Sequence, residues 1–101
     1  MELLSEVKLY LNIRYDDPDE DQKVQGFIER GKSLINKYAG TELNYNEEEP
    51  HKQLLLDYCR YARSQATEMF EKNYLHDLVA LREQEEVKNY ENQIKSAVSN
   101  L

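Results

Sequence analysis

Three carboxylates at alternating positions, Asp17, Asp19 and Asp21, are the side chains whose spacing most resembles a metal site. Alternating carboxylates open the calcium-binding loop of EF-hand proteins, where they converge on one hard cation. The rest of that loop is missing, because its sixth position, normally glycine, is Gln22 and its twelfth, normally glutamate, is Ile28. We therefore expect the aspartates to form a solvated helix start rather than a metal site.

Cys59 is the one cysteine of the sequence, and with His51 or His76 it could form a nucleophile and its base. Nothing around Cys59 in the sequence would lower a thiol pKa, and neither histidine has the paired spacing of a zinc site. A lone cysteine cannot form an intramolecular disulfide, which favours a reducing compartment. We expect a semi-buried structural thiol, with no metal and no cofactor.

Motifs that bind phosphate or activate a serine, such as a glycine-rich loop or a Gly-x-Ser-x-Gly turn, do not occur in the sequence. We therefore expect no catalytic residues and no enzymatic activity.

Three basic side chains, Arg60, Arg63 and Lys72, could form a weak nucleic-acid patch beside Tyr61. Acidic residues lie between them, so local ion pairing at three- and four-residue steps is the simpler interpretation.

The charge balance argues against a general nucleic-acid-binding protein. The 101 residues include 20 acidic and 13 basic side chains, a net charge of −7, whereas such proteins gain much of their affinity from clustered lysine and arginine. Residues 1–50 hold 12 acids and six bases, a net −6, and the second half holds eight acids and seven bases, a net −1.

The length suits one small domain, and no apolar run approaches the ~18 residues of a membrane span. We expect neither secretion nor membrane association.

The elements that must position these side chains are predicted to be helices, because glycine and proline are rare and good helix formers abound. The apolar spacing predicts a first helix within Glu2–Ile13. A second helix is predicted to be capped by Asp17, to begin at Pro18 and to end at Gly40. A third helix of roughly twenty residues is predicted to begin at Pro50.

The apolar stripes of these helices predict an all-α fold, a small bundle of three to four helices. The polar segment Thr41–Glu49 is predicted to be an exposed loop. Tyr45, Tyr74 and Tyr90 fall where the pattern predicts no compact core, so an interface role and simple exposure both stay open for them. The predicted core consists of Leu4, Val7, Leu11, Val24, Phe27, Ile28, Ile35, Leu55, Tyr58, Ala62 and Met69.

The apolar residues become sparse toward the end of the sequence. Residues 75–81 are predicted to pack on the bundle, and the last twenty or so residues are predicted to be ordered partly by a partner. We therefore divide the single domain into a helical body, residues 1–81, and a partly flexible C-terminal docking arm, residues 82–101.

Four segments in a fixed order carry a resemblance to a known family. The first is Leu-Leu-x-x-Val-Lys-x-Tyr-Leu, from Leu3 to Leu11, and the acidic linker Asp-Asp-Pro-Asp-Glu-Asp follows it. The third is Phe-Ile-x-x-Gly-Lys-x-x-Ile-x-x-Tyr-x-Gly, from Phe27 to Gly40, and the fourth is a proline-opened helix rich in leucine, tyrosine and arginine. Together they resemble the tailed-phage head-tail connector family, in particular the head completion, or adaptor, proteins of siphophages that infect Bacillus.

The resemblance implies a small helical protein that forms a ring, expected to be a dodecamer, below the portal of the DNA-filled capsid. Such a ring extends the channel and provides a docking surface for the stopper, or head closure, protein and through it for the tail. DNA is expected to slide through without specific binding, which suits an acidic protein. The implied location is the head-tail interface of the virion, reached by assembly in the host cytoplasm.

The C-terminal segment grips the portal in members of this family, which implies the same role here for the segment that begins at Tyr74. The charged stretch Arg82–Glu86 leaves the start of the arm open. The portal-docking candidates are Tyr74, Leu75, Leu78, Val87, Tyr90, Ile94 and Val98. A second hypothesis, from another class, is a small acidic regulatory or inhibitor module that binds a host or phage protein.

Overall fold

The computed structural model describes the backbone of residues 2–99 and the side chains of residues 2–97. This part of the chain is 77% helical and contains five helices and no strand, which confirms the prediction of an all-α fold. The helices are α1 (Leu3–Tyr10), α2 (Pro18–Ala39), α3 (Pro50–Arg63), α4 (Thr67–Asn73) and α5 (Leu75–Ser99).

The second helix begins and ends at the predicted residues. Asp17 has an extended backbone, and its carboxylate accepts a hydrogen bond from the Asp19 N–H at 3.0 Å. This bond satisfies one of the amides that a helix start leaves without an intrahelical partner. At the other end Gly40 has a φ of 77°, the left-handed conformation that glycine adopts without steric cost.

The first helix ends three residues earlier than the predicted segment. Asn12 has a φ of 62° and donates its N–H to the Leu9 carbonyl at 3.1 Å, while the Ile13 N–H bonds the Lys8 carbonyl at 2.8 Å. These two bonds form the Schellman arrangement that closes a helix. Ile13, the residue that follows the turn, is buried and joins the core.

The predicted third helix is two helices, because the same kind of turn interrupts it. Gln65 has a φ of 58°, its N–H bonds the Ala62 carbonyl at 3.0 Å, and the Ala66 N–H bonds the Tyr61 carbonyl at 2.9 Å. Glycine is the usual residue at this left-handed position. Because glutamine stands there instead, the sequence carries no clear signal for the end of α3.

The core is built around α2, which packs against α1, α3 and α5, while α4 packs against α3 and α5. Of the predicted core residues, Val7, Val24, Ile28, Ile35, Leu55, Tyr58 and Ala62 are buried, and Leu4, Leu11 and Phe27 are partly buried against them.

The prediction for Met69 is wrong, because this side chain is 43% exposed. The turn at Gln65 changes the register of the following helix, so that Phe70 is fully buried in its place. Phe70 lies edge-on to Tyr58 and stacks on Tyr74, with ring centroids 5.3 and 4.7 Å away.

Gly31 of α2 is buried and lies close to side chains of α3. A Cβ atom at this position would lie 2.7 Å from Leu55 Cδ1 and 2.7 Å from Tyr58 Cδ1. Both neighbours are buried core residues, so neither can turn away into solvent. The absence of a side chain at residue 31 therefore sets the distance between the two helices.

We predict that Gly31→Ala destabilises the fold by about 1–3 kcal/mol, because the added methyl overpacks a filled interface. Gly26→Ala is the matched control on the same helix, since its Cβ would meet only the flexible end of Arg30, at 3.2 Å. This control should stabilise α2 by up to about 1 kcal/mol, the gain in helix propensity. Urea unfolding of the two variants measures both effects, and equal effects would contradict the packing argument.

Candidate docking surface

Two of the three alternating aspartates make side-chain contacts within the protein. Asp17 caps α2, and Asp21 Oδ1 lies 2.8 Å from Lys8 Nζ, which also contacts Asp16 at 3.2 Å. The hydrogen bond to Asp21 raises the pKa of Lys8. Within the described residues no group of three or more histidine, cysteine or acidic side chains could hold a metal ion. The carboxylates thus hold α1 against the start of α2.

Cys59 is fully buried in the core, and burial raises the pKa of its thiol to about 12. The thiol therefore stays protonated near neutral pH and is a poor nucleophile. His51 is buried as well, and its Nε2 lies 2.6 Å from the Asn44 carbonyl oxygen. Because a carbonyl can only accept, the Nε2–H donates, so His51 holds the preceding loop. His76 is exposed on α5.

The sequence predicts an exposed loop between α2 and α3. The loop is only partly exposed, because the side chain of Tyr45 is buried. The Tyr45 hydroxyl donates to Asn36 Oδ1 at 2.7 Å, and the ring lies edge-on to His51 at a centroid distance of 5.2 Å. Burial raises the pKa of Tyr45. Tyr45 and the partly buried Leu43 are the large apolar residues of this polar segment, which is the signal by which the contact could have been recognised.

Lys52 is a buried cation that the sequence reasoning missed. Its Nζ lies 2.5 Å from Glu6 Oε2 on α1 and 2.9 Å from Glu48 Oε1 in the loop. The hydrogen bond to Glu6 is the main cause that raises the pKa of Lys52. The Lys52 side chain of α3 thus contacts both α1 and the loop between α2 and α3. Its contact with Glu6 joins helices that are far apart in sequence.

The three basic residues considered as a nucleic-acid patch have different surroundings. Arg63 Nη1 donates to the Leu11 carbonyl at 2.9 Å and so holds the turn after α1. The Arg60 guanidinium lies 5.0 Å from the centre of the Tyr61 ring. Lys72 is exposed on α4. Arg63 is therefore a structural contact between α3 and α1.

A groove of about 330 Å³ lies between α3 and α5. Leu54, Ala80 and Leu81 supply much of its apolar surface, and the carboxylates of Asp57 and Asp77 also line it. Asp57 is nearly buried, and its Oδ1 accepts hydrogen bonds from the Tyr10 hydroxyl at 2.5 Å and from Gln53 Nε2 at 3.1 Å. The bond to Asp57 raises the pKa of Tyr10. A second groove shares Ala80 with the first and continues along α5 to Val87.

The structure separates the portal-docking candidates into two groups. Leu78 is fully buried, and Tyr74 is partly buried in the aromatic cluster around Phe70, so both belong to the body. The assignment of Leu78 to a docking surface is therefore wrong for this conformation, because it packs into the core at the start of α5. Leu75 is half exposed.

The other docking candidates lie on the arm. Val87, Tyr90 and Ile94 are 56%, 65% and 45% exposed, which is high for large apolar side chains. The side chain of Val98 lies outside the described residues. The arm is helical as far as Ser99, and it presents these apolar side chains to solvent.

A comparison with protein families matches residues 1–101 to the family described as phage gp6-like head-tail connector protein. The chain belongs to this head-tail connector family. Neither a search of curated proteins nor a search of solved structures gives a match. The family is structural rather than enzymatic, and it places the connector at the head-tail junction of a virion. No helix in the described part of the connector is long and apolar enough to cross a membrane.

We predict that the connector loses stability above about pH 9, where an unfolded thiol ionises but the buried Cys59 thiol does not. Because the pKa of the Cys59 thiol is raised on folding, its contribution to the free energy of unfolding is fully present below about pH 9. This contribution is lost by up to about 1.4 kcal/mol per pH unit as the pH rises toward 12. Urea unfolding at about pH 8 and about pH 10.5 measures the loss. Cys59→Ala should unfold at lower urea at both pH values but with a smaller change between them. If Cys59→Ala had the same pH dependence as the parent, the buried thiol would not be the source of the loss.

Proposed function

We propose that this connector is a head completion, or adaptor, protein that binds below the portal as a ring, extends the DNA channel and provides the docking surface for the stopper and tail. Family membership supports the connector role. The observation that carries the finer proposal is the apolar stripe of Val87, Tyr90 and Ile94 on the arm. We infer that this stripe docks on the portal.

The arm cannot simply continue the core-facing side of α5. Val87 follows Leu78 by nine residues, or about two and a half helical turns, so their side chains lie on opposite faces of the helix. Leu78 is fully buried against the body, whereas Val87 is exposed. An apolar stripe on the far face gains stability only by contact with another molecule.

The shape of the chain supports a division into body and arm. The longest dimension is 56 Å, against 29 and 16 Å for the other two. The last deeply buried side chain of α5 is Leu81 among the described residues. We therefore propose residues 1–81 as the connector body and residues 82–101 as the arm that reaches the portal.

The charge distribution suits a channel through which DNA passes without specific binding. Lys8, Lys52 and Arg63 contact acidic side chains or backbone of the connector itself. With a net charge of −7, the whole chain repels phosphate rather than holding it. A ring of such subunits, expected from the family to be a dodecamer, would let DNA slide.

We predict that Tyr90→Glu and Ile94→Glu reduce capture of the connector by the portal protein of the same phage at least about tenfold, because each buries a charge in an apolar contact. Asn89→Glu is the matched control, since Asn89 lies on the same arm outside the stripe. Pull-down at equal concentrations measures binding, and circular dichroism checks that helix content is retained. Truncation after Leu81 should also remove portal binding. Unchanged capture of the stripe variants would refute the assignment of the arm.

A further inference from the structure

The outward face of α5 carries a heptad seam. Ala80, Val87 and Ile94 recur every seven residues, and Tyr90 follows Val87 by three. Apolar residues at these two heptad positions are typical of a helix that packs along another helix. Val87, Tyr90 and Ile94 are exposed, each by 45% or more of its surface.

The two ends of this seam carry opposite charge. At the groove end, carboxylates of Glu49, Asp57, Asp77 and Glu83 line the surface. None of these four takes part in an ion pair with another described side chain. At the arm end, residues 87–97 contain two lysines and one glutamate, a net +1. Lys95, one of the two, likewise has no ion pair within the described side chains.

We propose that this seam binds a second copy of the chain, with the two α5 helices antiparallel and crossing at Val87. Val87 lies seven residues after Ala80 and seven before Ile94, so a two-fold axis at Val87 sets Ile94 of one copy beside the small Ala80 of the other. The same axis brings Lys95 of one copy within about 3 Å along the helix of Asp77 in the other.

The antiparallel direction follows from the charges. A parallel pair would set the acidic groove of one copy beside the acidic groove of the other, and Lys95 beside Lys95. Like charges across a helix pair oppose association, whereas opposite charges select partner and direction. The antiparallel pair matches acidic to basic ends twice, once at each end of the seam.

This dimer belongs to the free connector and does not depend on portal docking. It covers the same stripe that we propose for the portal, so the portal and the second copy compete for it. The dimer would then cover the apolar stripe of α5 until the connector assembles on the portal.

Sedimentation equilibrium of the free full-length chain tests the proposal. We expect a concentration-dependent dimer, and Asp77→Lys and Lys95→Glu should each raise its dissociation constant about fivefold or more. The double variant should restore the constant to within about twofold of the parent, because each pair is re-formed with reversed charges. Glu42→Lys and Lys72→Glu should leave the dissociation constant unchanged, because they change charge at exposed sites in the α2–α3 loop and on α4, outside α5. A monomer at all concentrations, or losses that add in the double variant, would overturn the proposal.

A cross-link distinguishes the direction of the helices. In a Cys59→Ala background, Val87→Cys should form a disulfide between copies, because the axis passes through residue 87. Ile94→Cys should not, because in the antiparallel pair the two copies of residue 94 lie about 20 Å apart along the helix. Efficient cross-linking at both positions would indicate a parallel pair and refute the proposal. Portal capture by the arm is measured separately, so either proposal can fail alone.

Discussion

The distance between α2 and α3 at Gly31 is the constraint on which the rest of the fold depends. With no side chain at this position, Leu55 and Tyr58 lie against the backbone of α2. Tyr58 in turn contacts Phe70, through which the short helix α4 reaches the core. Because protein interiors are close-packed, a larger distance between α2 and α3 would displace the helices that pack on this pair.

Polar side chains hold the elements that this apolar contact does not reach. Lys52 ties α1 and the α2–α3 loop to α3, Arg63 holds the turn after α1, and Tyr10 bonds Asp57. More than 40 positions of sequence separate the partners in three of these contacts, Lys52 with Glu6, Arg63 with Leu11 and Tyr10 with Asp57. The first helix is only eight residues long and has one fully buried side chain, Val7. Such a short helix is marginal alone, so these tertiary contacts decide its position.

What could be predicted from the sequence was local. The start of α2 at Asp17 and its end at Gly40 are recognisable because capping depends on a few adjacent residues. The end of α3 was missed because Gln65 occupies a left-handed position without the glycine that would mark it. Exposure of Met69 follows from that turn, and burial of Tyr45 depends on Asn36, a partner in another element.

The same limit applies to the candidate docking surface. The arm's apolar residues were identifiable by type and spacing, but Leu78 shares that spacing and lies in the core. Periodicity places residues on faces of a helix, and only the packed structure tells which face meets the body. The groove beside Asp57 and Asp77 needs α3 and α5 together, so no single segment of sequence indicates it.

The continuity of α5 has a mechanical consequence. From Leu75 to Ser99 the helix contains neither glycine nor proline, and its first turns are anchored by Leu78 and Leu81. Kinks in helices arise mainly at such residues or at inserted bulges. We therefore expect the arm to move together with the anchored first turns of α5. A force on the described part of the arm would then act as a torque on the contact between α2 and α5, and a displacement of the arm would be transmitted to the core.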